Sequence, residues 1–320
     1  MRHFIKETDF TVGEMAAVFA TAADMKRERS QGTEKRAHLE GQSWGLLFFK
    51  KSTRTRVSFQ VGVHELGGQP VMLNAEELQL SRGETTADTA RVLSRYLHGL
   101  VIRCYAHSVL EEVSRLGTLP VVNALSDYLH PCQIYTDFFT LAERWSGGDV
   151  KRYLESLKGR KIAFLGDTAC NMANSFILGG AHLGVEIALA GPANYAPQAE
   201  IREELSRSGL VPSWRFTQDP IEAARGADMV YTDVWTSMGM EAERAERLSQ
   251  MQPYQVNAAV MRAAKVGAYF MHCLPAHVGE EVTQEVLDSP ASIIFDQAEN
   301  RLHVQKAILA HLSTHGLTQT

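Results

Sequence analysis

Short apolar runs alternate with longer stretches of helical periodicity along most of the chain, and that alternation predicts the architecture. Runs of strand composition fall at 44–49 (WGLLFF), 70–73, 99–104, 119–123, 161–166 (KIAFLG), 185–190, 213–217, 229–233 (MVYTD), 269–274 (YFMHCL) and 292–296 (SIIFD). Most are apolar without a polar alternation, the pattern of strands covered on both faces. Between them lie amphipathic stretches. In 86–97, Ala90, Leu93 and Leu97 recur at helical spacing; 241–266 opens acidic and ends at Gly267. Strands separated by helices predict an α/β fold built on parallel sheets.

Ten strand candidates exceed one small sheet, and 320 residues suit two domains of roughly 150. A helix over about 133–145 ends in Ser146-Gly147-Gly148, and a new strand starts at Lys161. We therefore expect two doubly wound domains, each a parallel β-sheet flanked by helices. The expected spans are 1–148 (four βα units), 149–297, and a C-terminal segment 298–320 whose helix, about 298–313, packs back on the first domain.

Composition narrows the function classes. The chain is 45% hydrophobic and 22% charged, which excludes a disordered or collagenous protein. Net charge is −5, with no basic block, so neither nucleic acid nor a membrane surface is an expected partner. No apolar run reaches the ~18 residues of a membrane span. The opening MRHFIKETDF lacks the apolar core of a secretory signal and carries Glu7 and Asp9, unlike an acid-poor transit peptide. Cysteines at 104, 132, 170 and 273 show no CxxC spacing, which suits a reducing compartment. The expected location is the cytoplasm.

The chemistry concentrates at strand ends. Run 44–49 leads into Lys50-Lys51-Ser52-Thr53-Arg54-Thr55-Arg56 and then a helix. Such a turn presents free backbone N–H groups and the positive end of a helix dipole, to which the hydroxyls add donors and Arg54 a two-pronged grip on phosphate. Ser and Thr are also common helix caps, so each residue alone is bland; together they favour a phosphate site. No GxxxxGK[ST] run is present, so it is not a nucleotide loop. Arg103 closes the run GLVIR, and His130-Pro131-Cys132-Gln133 follows LPVVNAL. Strand ends of one parallel sheet converge on one edge, so Arg103, His130 and Gln133 face the same ligand, as polarising a carbonyl requires.

In the second half, KIAFLG gives way to Asp167-Thr168-Ala169-Cys170-Asn171 without GxGxxG, which makes nicotinamide binding improbable. Asp233-Val234-Trp235-Thr236-Ser237-Met238-Gly239 offers a carboxylate and a hydroxyl on a flexible loop; Asp233 suits an ammonium, or equally a helix cap. His272-Cys273-Leu274-Pro275-Ala276-His277 invites a metal reading. Pro275 prevents a helix from aligning Cys273 with His277, and no second Cys/His cluster closes the shell, so no metal is expected. A cysteine nucleophile is the other reading, and no Asp or Asn partner is evident beside Cys273.

Together these segments resemble the aspartate/ornithine carbamoyltransferase family, in its ornithine branch. Ser52-Thr53-Arg54-Thr55-Arg56 is similar to the family's carbamoyl-phosphate motif and His130-Pro131-Cys132-Gln133 to its HPxQ element. The ornithine branch's DxxxSMG and HCLP loops match Asp233–Gly239 and His272–Pro275, and Glu299-Asn300-Arg301-Leu302-His303 resembles its closing ENRxH helix. The resemblance spans about residues 1–315. It implies that Ser52, Thr53, Arg54 and Thr55 hold phosphate and that Arg103, His130 and Gln133 hold the carbamoyl group, with Cys273, Leu274 and Arg301 completing that pocket. Arg103, His130, Gln133, Cys273 and Arg301 are thereby the expected catalytic residues. Asn171 and the Met238 backbone would receive the α-carboxylate of ornithine, Asp233 and Ser237 its α-ammonium. Gln79 would be lent by a neighbouring subunit of a homotrimer.

The implied reaction carries the carbamoyl group of carbamoyl phosphate to the δ-amine of L-ornithine, giving L-citrulline and phosphate, a step of arginine biosynthesis, without cofactor or metal. Putrescine, then N-acetylornithine, are the alternative acceptors; a non-catalytic ligand-binding protein of the same fold is the alternative class. Three positions depart from the family's usual pattern: Lys51 for a common proline, Cys170 for Asn or Arg, and Val278 for an arginine after HCLPAH. They bear on affinity more than on reaction type.

Overall fold

The computed structural model describes residues 2–33, 37–79, 83–236 and 244–316, the last three of these by backbone alone. The chain divides into two compact units. The first comprises the residues up to Tyr153 and those from Glu299 onward; the second is Leu154–Ala298.

The first unit carries a four-stranded parallel sheet of β1 (Ser43–Phe48), β2 (Gln69–Asn74), β3 (Gly99–Arg103) and β4 (Val121–Leu125), in the order β2-β1-β3-β4. Its helices are α1 (Val12–Gln31), α2 (Thr53–Glu65), α3 (Thr86–Leu93), α4 (His107–Leu116) and α5 (Pro131–Ser146). Trp44 on β1 is fully buried, and a Cβ on Gly99 of β3 would lie 2.4 Å from its ring, so that close approach needs glycine. Helix α5 is buried almost all round from Pro131 to Ala142, with Pro131 in its first turn and Gly147, left-handed at φ 69°, closing it.

In the second unit α6 (Tyr153–Leu157) straddles the boundary and leads to a five-stranded parallel sheet: β5 (Lys161–Leu165), β6 (Glu186–Ala190), β7 (Trp214–Thr217), β8 (Met229–Thr232) and β9 (Tyr269–Met271), ordered β7-β6-β5-β8-β9. It is flanked by α7 (Asn171–Leu183), α8 (Ala199–Arg207), α9 (Pro220–Ala224), α10 (Arg244–Met251), α11 (Ala258–Ala263) and α12 (Gln284–Leu287). Helix α13 (Ile294–Gly316) starts in the second unit and belongs to the first from Glu299 onward. The fold is thus α/β with two parallel sheets flanked by helices, as the apolar pattern predicts.

Two elements differ from that pattern. Residues 292–296 are not a strand: Ser292 makes a single bridge to Phe270, and α13 begins at Ile294. A short apolar run fits either period, and this one continues into helical spacing without a breaker. The stretch expected as one helix over 241–266 is split within its described part. Pro253 lacks the N–H to continue α10, and Asn257 starts α11 afresh by accepting the amides of Ala259 (2.9 Å) and Val260 (3.2 Å).

Candidate functional site

In open parallel sheets ligands bind outside the carboxyl ends of the strands, where the strand order reverses. The first sheet reverses between β1 and β3, the second between β5 and β8. Most of the predicted residues that are described lie at or beside these places.

At the first, α2 starts directly after the β1 turn. Ser52 is its N-cap: its Oγ accepts the Thr55 amide at 3.4 Å, so the capping reading of this residue holds, and its O–H remains a donor. Thr55 is buried. Its Oγ1 accepts a hydrogen bond from Nη2 of Arg301 at 2.6 Å and another from Nη1 of Arg103 at 3.5 Å. Thr53 is exposed and Arg54 half-buried in the same helical turn. Arg103 is aimed by an irregularity in β3–β4: Ile102 pairs with Asn123 but Arg103 with Leu125, so one residue of β4 is passed over.

His130 is the N-cap of α5 and is 3% exposed. Burial pushes its pKa well below 6.5, and the charges of Arg301 and Arg103 push it further the same way. The ring is therefore neutral. Gln133, 1% exposed, donates Nε2 to Oδ1 of Asp137 at 2.8 Å; its Oε1 is buried without a hydrogen-bond partner among the described residues. That leaves an acceptor for N–H groups of a ligand. Burial first, then Arg103, lowers the Lys50 pKa, and its ammonium sits 4.0 Å from the Tyr105 ring centroid. Gln79 is exposed in the loop after β2, and among the described residues its side chain makes no hydrogen bond.

At the second sheet, Thr232 Oγ1 donates to the Leu165 carbonyl at 2.8 Å, tying the end of β8 to that of β5. Asp233 follows. Its Oδ1 accepts from the Val234 amide (2.8 Å) and from the Cys273 thiol (3.0 Å). No helix begins there among the described residues, so Asp233 is not a helix cap. The aspartate partner that Cys273 lacks by proximity in sequence is supplied from 40 residues away. Leu274 holds φ 61°, uncommon for a branched side chain, and its amide donates to Nδ1 of His272 at 2.8 Å. Asn171 is the first residue of α7, and its neighbour Cys170 caps that helix without a side-chain bond. Burial and the charges of Asp167 and Asp233 push the Cys170 thiol well above its usual pKa. Ser237 and Met238 lie outside the described residues.

Asp233, His272 and Cys273 bring their ligand atoms within 4.8 Å of one another, whereas His277 groups with Glu280 and Glu281. Two donors of the first set, His272 Nδ1 and the Cys273 thiol, are engaged internally, whereas His272 Nε2 makes no hydrogen bond among the described residues. Nδ1 of His272 accepts Leu274 N–H, Nε2 lies 3.3 Å from buried Glu281, and the thiol is committed to Asp233.

Three contacts escape the sequence reading. Asp137 orients the Gln133 amide; its signal is the i, i+4 spacing on α5. Asp167 forms an ion pair with buried Arg247, whose Nε also donates to the Trp235 carbonyl at 2.7 Å. Burial raises the Asp167 pKa against the pull of Arg247. Trp235 packs on Gly166 (φ 114°), where a Cβ would lie 2.8 Å from its Nε1.

Comparison with known proteins agrees with this geometry. Residues 2–143 match the profile of the aspartate/ornithine carbamoyltransferase carbamoyl-P binding domain, and 158–312 that of the Asp/Orn binding domain. The chain is 46% identical over 318 residues to an ornithine carbamoyltransferase of Methanoculleus marisnigri, covering 99% of this chain and 98% of that one. The solved ornithine carbamoyltransferase of Pyrococcus furiosus superposes with a TM-score of 0.88 at 44% identity, covering 98% of this chain and 97% of that one. An anabolic ornithine carbamoyltransferase of Campylobacter jejuni gives 0.86 at 35%, covering 98% and 100%. With two guanidinium groups converging on Thr55 at one sheet's switch point, a carboxylate–thiol pair beside the other's, and both family profiles matched in order, the chain belongs to the aspartate/ornithine carbamoyltransferase family.

Proposed function

We propose that the chain transfers the carbamoyl group of carbamoyl phosphate to the δ-amine of L-ornithine, releasing L-citrulline and phosphate. The observation that carries this reading is the convergence of Arg103 and Arg301 on Thr55, beside a His130 held neutral. The phosphate dianion takes the α2 N-terminus: Ser52, Thr53 and Thr55 give hydroxyls and Arg54 its guanidinium. Arg103 and the N–H of neutral His130 stabilise the carbonyl oxygen as the carbon becomes tetrahedral, Arg301 adds charge, and Gln133 Oε1 accepts the carbamoyl N–H. On the acceptor side Asp233, with Ser237, takes the α-ammonium, and Asn171 and the Met238 backbone the α-carboxylate. Cys273 and Leu274 serve the reacting amine and carbamoyl group. The bond from the δ-nitrogen to the carbonyl carbon forms, the bond from that carbon to the bridging phosphate oxygen breaks, phosphate leaves with that oxygen at the α2 N-terminus, and the amine's protons pass to phosphate and solvent.

A free alkyl ammonium of pKa ~10.4 is only about one part in a thousand neutral at pH 7.4, so activating the amine offsets roughly 4 kcal/mol. Relatives named as anabolic support a place in arginine biosynthesis. No helix among the described residues is long and apolar enough to cross a membrane, and none of the four cysteines forms a disulfide. The latter supports a cytoplasmic location. We read residues 1–148 as the carbamoyl-phosphate domain and 149–297 as the ornithine domain.

The test is a product assay with carbamoyl phosphate and, separately, L-ornithine, putrescine, N-acetylornithine and L-aspartate. Ornithine should be the preferred acceptor by a wide margin. Preference for putrescine would move the specificity to an amine without a carboxylate, and no product with any amine would leave a binding protein.

Exposed Gln79, with exposed apolar Val57, Val92 and Tyr96 on and just beyond α2 and α3, supports a homotrimer in which Gln79 serves a neighbour's site. Mixed subunits of Arg54→Ala and Gln79→Ala, each impaired alone, should regain activity, because about one site in three of a mixed ring receives both intact residues. Mixed trimers as poor as their parents would confine Gln79 to its own subunit.

A further inference from the structure

The β8–β9 ladder ends at the pair Tyr231–Met271, and the two loops that leave it carry the Asp233 carboxylate and the Cys273 thiol. On the β8 side the chain turns to β5 through Thr232, whose Oγ1 donates to the Leu165 carbonyl. On the β9 side the next backbone donor is the N–H of buried His272, and it needs an acceptor. A side chain supplies it. Gln297, in the first turn of α13, accepts that N–H on Oε1 at 3.0 Å.

The other arm of the same carboxamide is committed too. Nε2 of Gln297 donates to the Tyr231 hydroxyl at 3.1 Å. Chemistry fixes this orientation, since a backbone N–H can only give and so must face Oε1. Tyr231 is a firm anchor: it is fully buried, stacked on Phe164 with ring centroids 5.7 Å apart and edge-on to Phe176 at 4.7 Å. Gln297, 1% exposed, thus suspends the start of the β9 loop from a point on β8 just before Asp233. From His272 onward the loop is held step by step. His272 Nδ1 accepts the Leu274 amide at 2.8 Å, and Cys273 between them gives its thiol proton to Asp233 at 3.0 Å.

We infer that Gln297 is a positioning residue for the reaction proposed above: its carboxamide sets the spacing of the β8 and β9 loops and so brings Cys273 and Leu274 to the reacting amine and carbamoyl group. It acts through His272, not on the substrates. Its effect on turnover rests on the proposed reaction, whereas its effect on the Cys273 thiol does not. Such a spacer must accept an amide on one arm and bond a phenol on the other. Glutamate can do both, because a carboxylate accepts from each; methionine has the reach and neither bond.

The inference is tested with Gln297→Met, Gln297→Glu and Tyr231→Phe. Gln297→Met should lower kcat/KM for ornithine by about tenfold or more, the effect of leaving a buried amide unmet. Carbamoyl-phosphate affinity, measured calorimetrically without ornithine, should be unchanged, and Gln297→Glu should recover most of the loss. Alkylation of Cys273 by iodoacetamide, followed by peptide mass spectrometry, should quicken severalfold in Gln297→Met, because the thiol no longer gives its proton to Asp233. Should that variant not fold, Tyr231→Phe, which removes only the anchoring hydroxyl, takes its place with the same directions and smaller sizes. The inference falls if the folded variant loses melting temperature alone, with parental ornithine kinetics and Cys273 alkylation. It falls equally if carbamoyl-phosphate affinity drops as far as ornithine use, or if Gln297→Glu is as impaired as Gln297→Met. Absence of citrulline from the parent would overturn the proposed reaction instead, and the alkylation rates would still decide the role of Gln297.

Discussion

The two strand-end clusters sit at equivalent places in two parallel sheets, yet they are built from opposite materials. The first gathers guanidinium groups that no working pH discharges, and it keeps its one titratable ring, His130, neutral. The second gathers carboxylates and thiols, with Asp233 bonded to Cys273 and Asp167 to Arg247. The first is also braced by long-range side-chain contacts between buried groups, such as Arg301 to Thr55. The second is braced by the Asp233–Cys273 contact between loops that follow β8 and β9, and by Arg247 of α10 on Asp167. A fixed dianion is best met by preorganised positive charge, whereas choosing among amines calls for a counter-charge on an adaptable loop. The contrast assigns donor capture to one unit and acceptor choice to the other.

The sharpest way to break that division is Arg301→Ala. Removing a buried guanidinium aimed at Thr55 should lower kcat/KM for carbamoyl phosphate by roughly 10²–10³-fold, the size seen when one transition-state donor is lost. Steady-state kinetics with ornithine saturating reads this directly, and a loss below about tenfold would put Arg301 outside the reacting pocket.

Asp233→Asn probes the other side. The amide cannot neutralise an ammonium, so the KM for ornithine should rise about 10–100-fold. Carbamoyl-phosphate affinity, measured calorimetrically without acceptor, should stay where it was. Equal damage to both ligands would make Asp233 a structural residue and erase the distinction between the clusters.

A smaller effect distinguishes the units by acid. His130 and His303, both in the first unit, have folded pKa values depressed below 6.5, so only the unfolded chain takes up protons on them as pH falls from there. Each costs stability at about 1.4 kcal/mol per pH unit until its folded pKa is reached. Glu14, held down at about 2 chiefly by its bond from Arg2, and Glu65, lowered by Lys306 and Arg29 against its burial, add losses at lower pH as carboxylates protonate. In the second unit Asp228 is lowered while Asp167 is raised, and these oppose. Hydrogen exchange between pH 7 and 5, corrected for intrinsic rate, should show α5 losing protection before β5 and α7. The reverse order would mean that other groups govern acid stability.

Legibility in the sequence followed the range of the interaction. Ser52–Thr55, His130 and Gln133 could be placed because a strand-to-helix turn is local and a parallel sheet delivers its ends to one edge. The strand runs were legible for the same reason, except at 292–296, where a three-residue apolar run belongs largely to the start of α13. The Asp233–Cys273 bond, the Asp137 support of Gln133 and the Arg247 tether of Trp235 were not read. Two of these join segments 12 to 40 residues apart, and a pairwise side-chain contact leaves no periodic trace. Asp137 did leave one, four residues from Gln133, but α5 is so uniformly buried that its spacing carries no contrast.

The hydrogen bond from Arg301 to Thr55 spans 246 residues of chain and closes over a whole intervening unit. In folding terms, Leu154–Ala298 is contiguous and completes itself through nearer contacts, whereas the first unit must wait for its own last helix. Contacts of such sequence separation form late, because the entropy of closing the loop is spent before the contact rewards it. The Arg301–Thr55 contact, and with it the pocket proposed for phosphate, is therefore expected among the last features to form. A chain that has not finished folding has no completed pocket to bind its substrate, and substrate that binds only the finished form draws the folding equilibrium toward it.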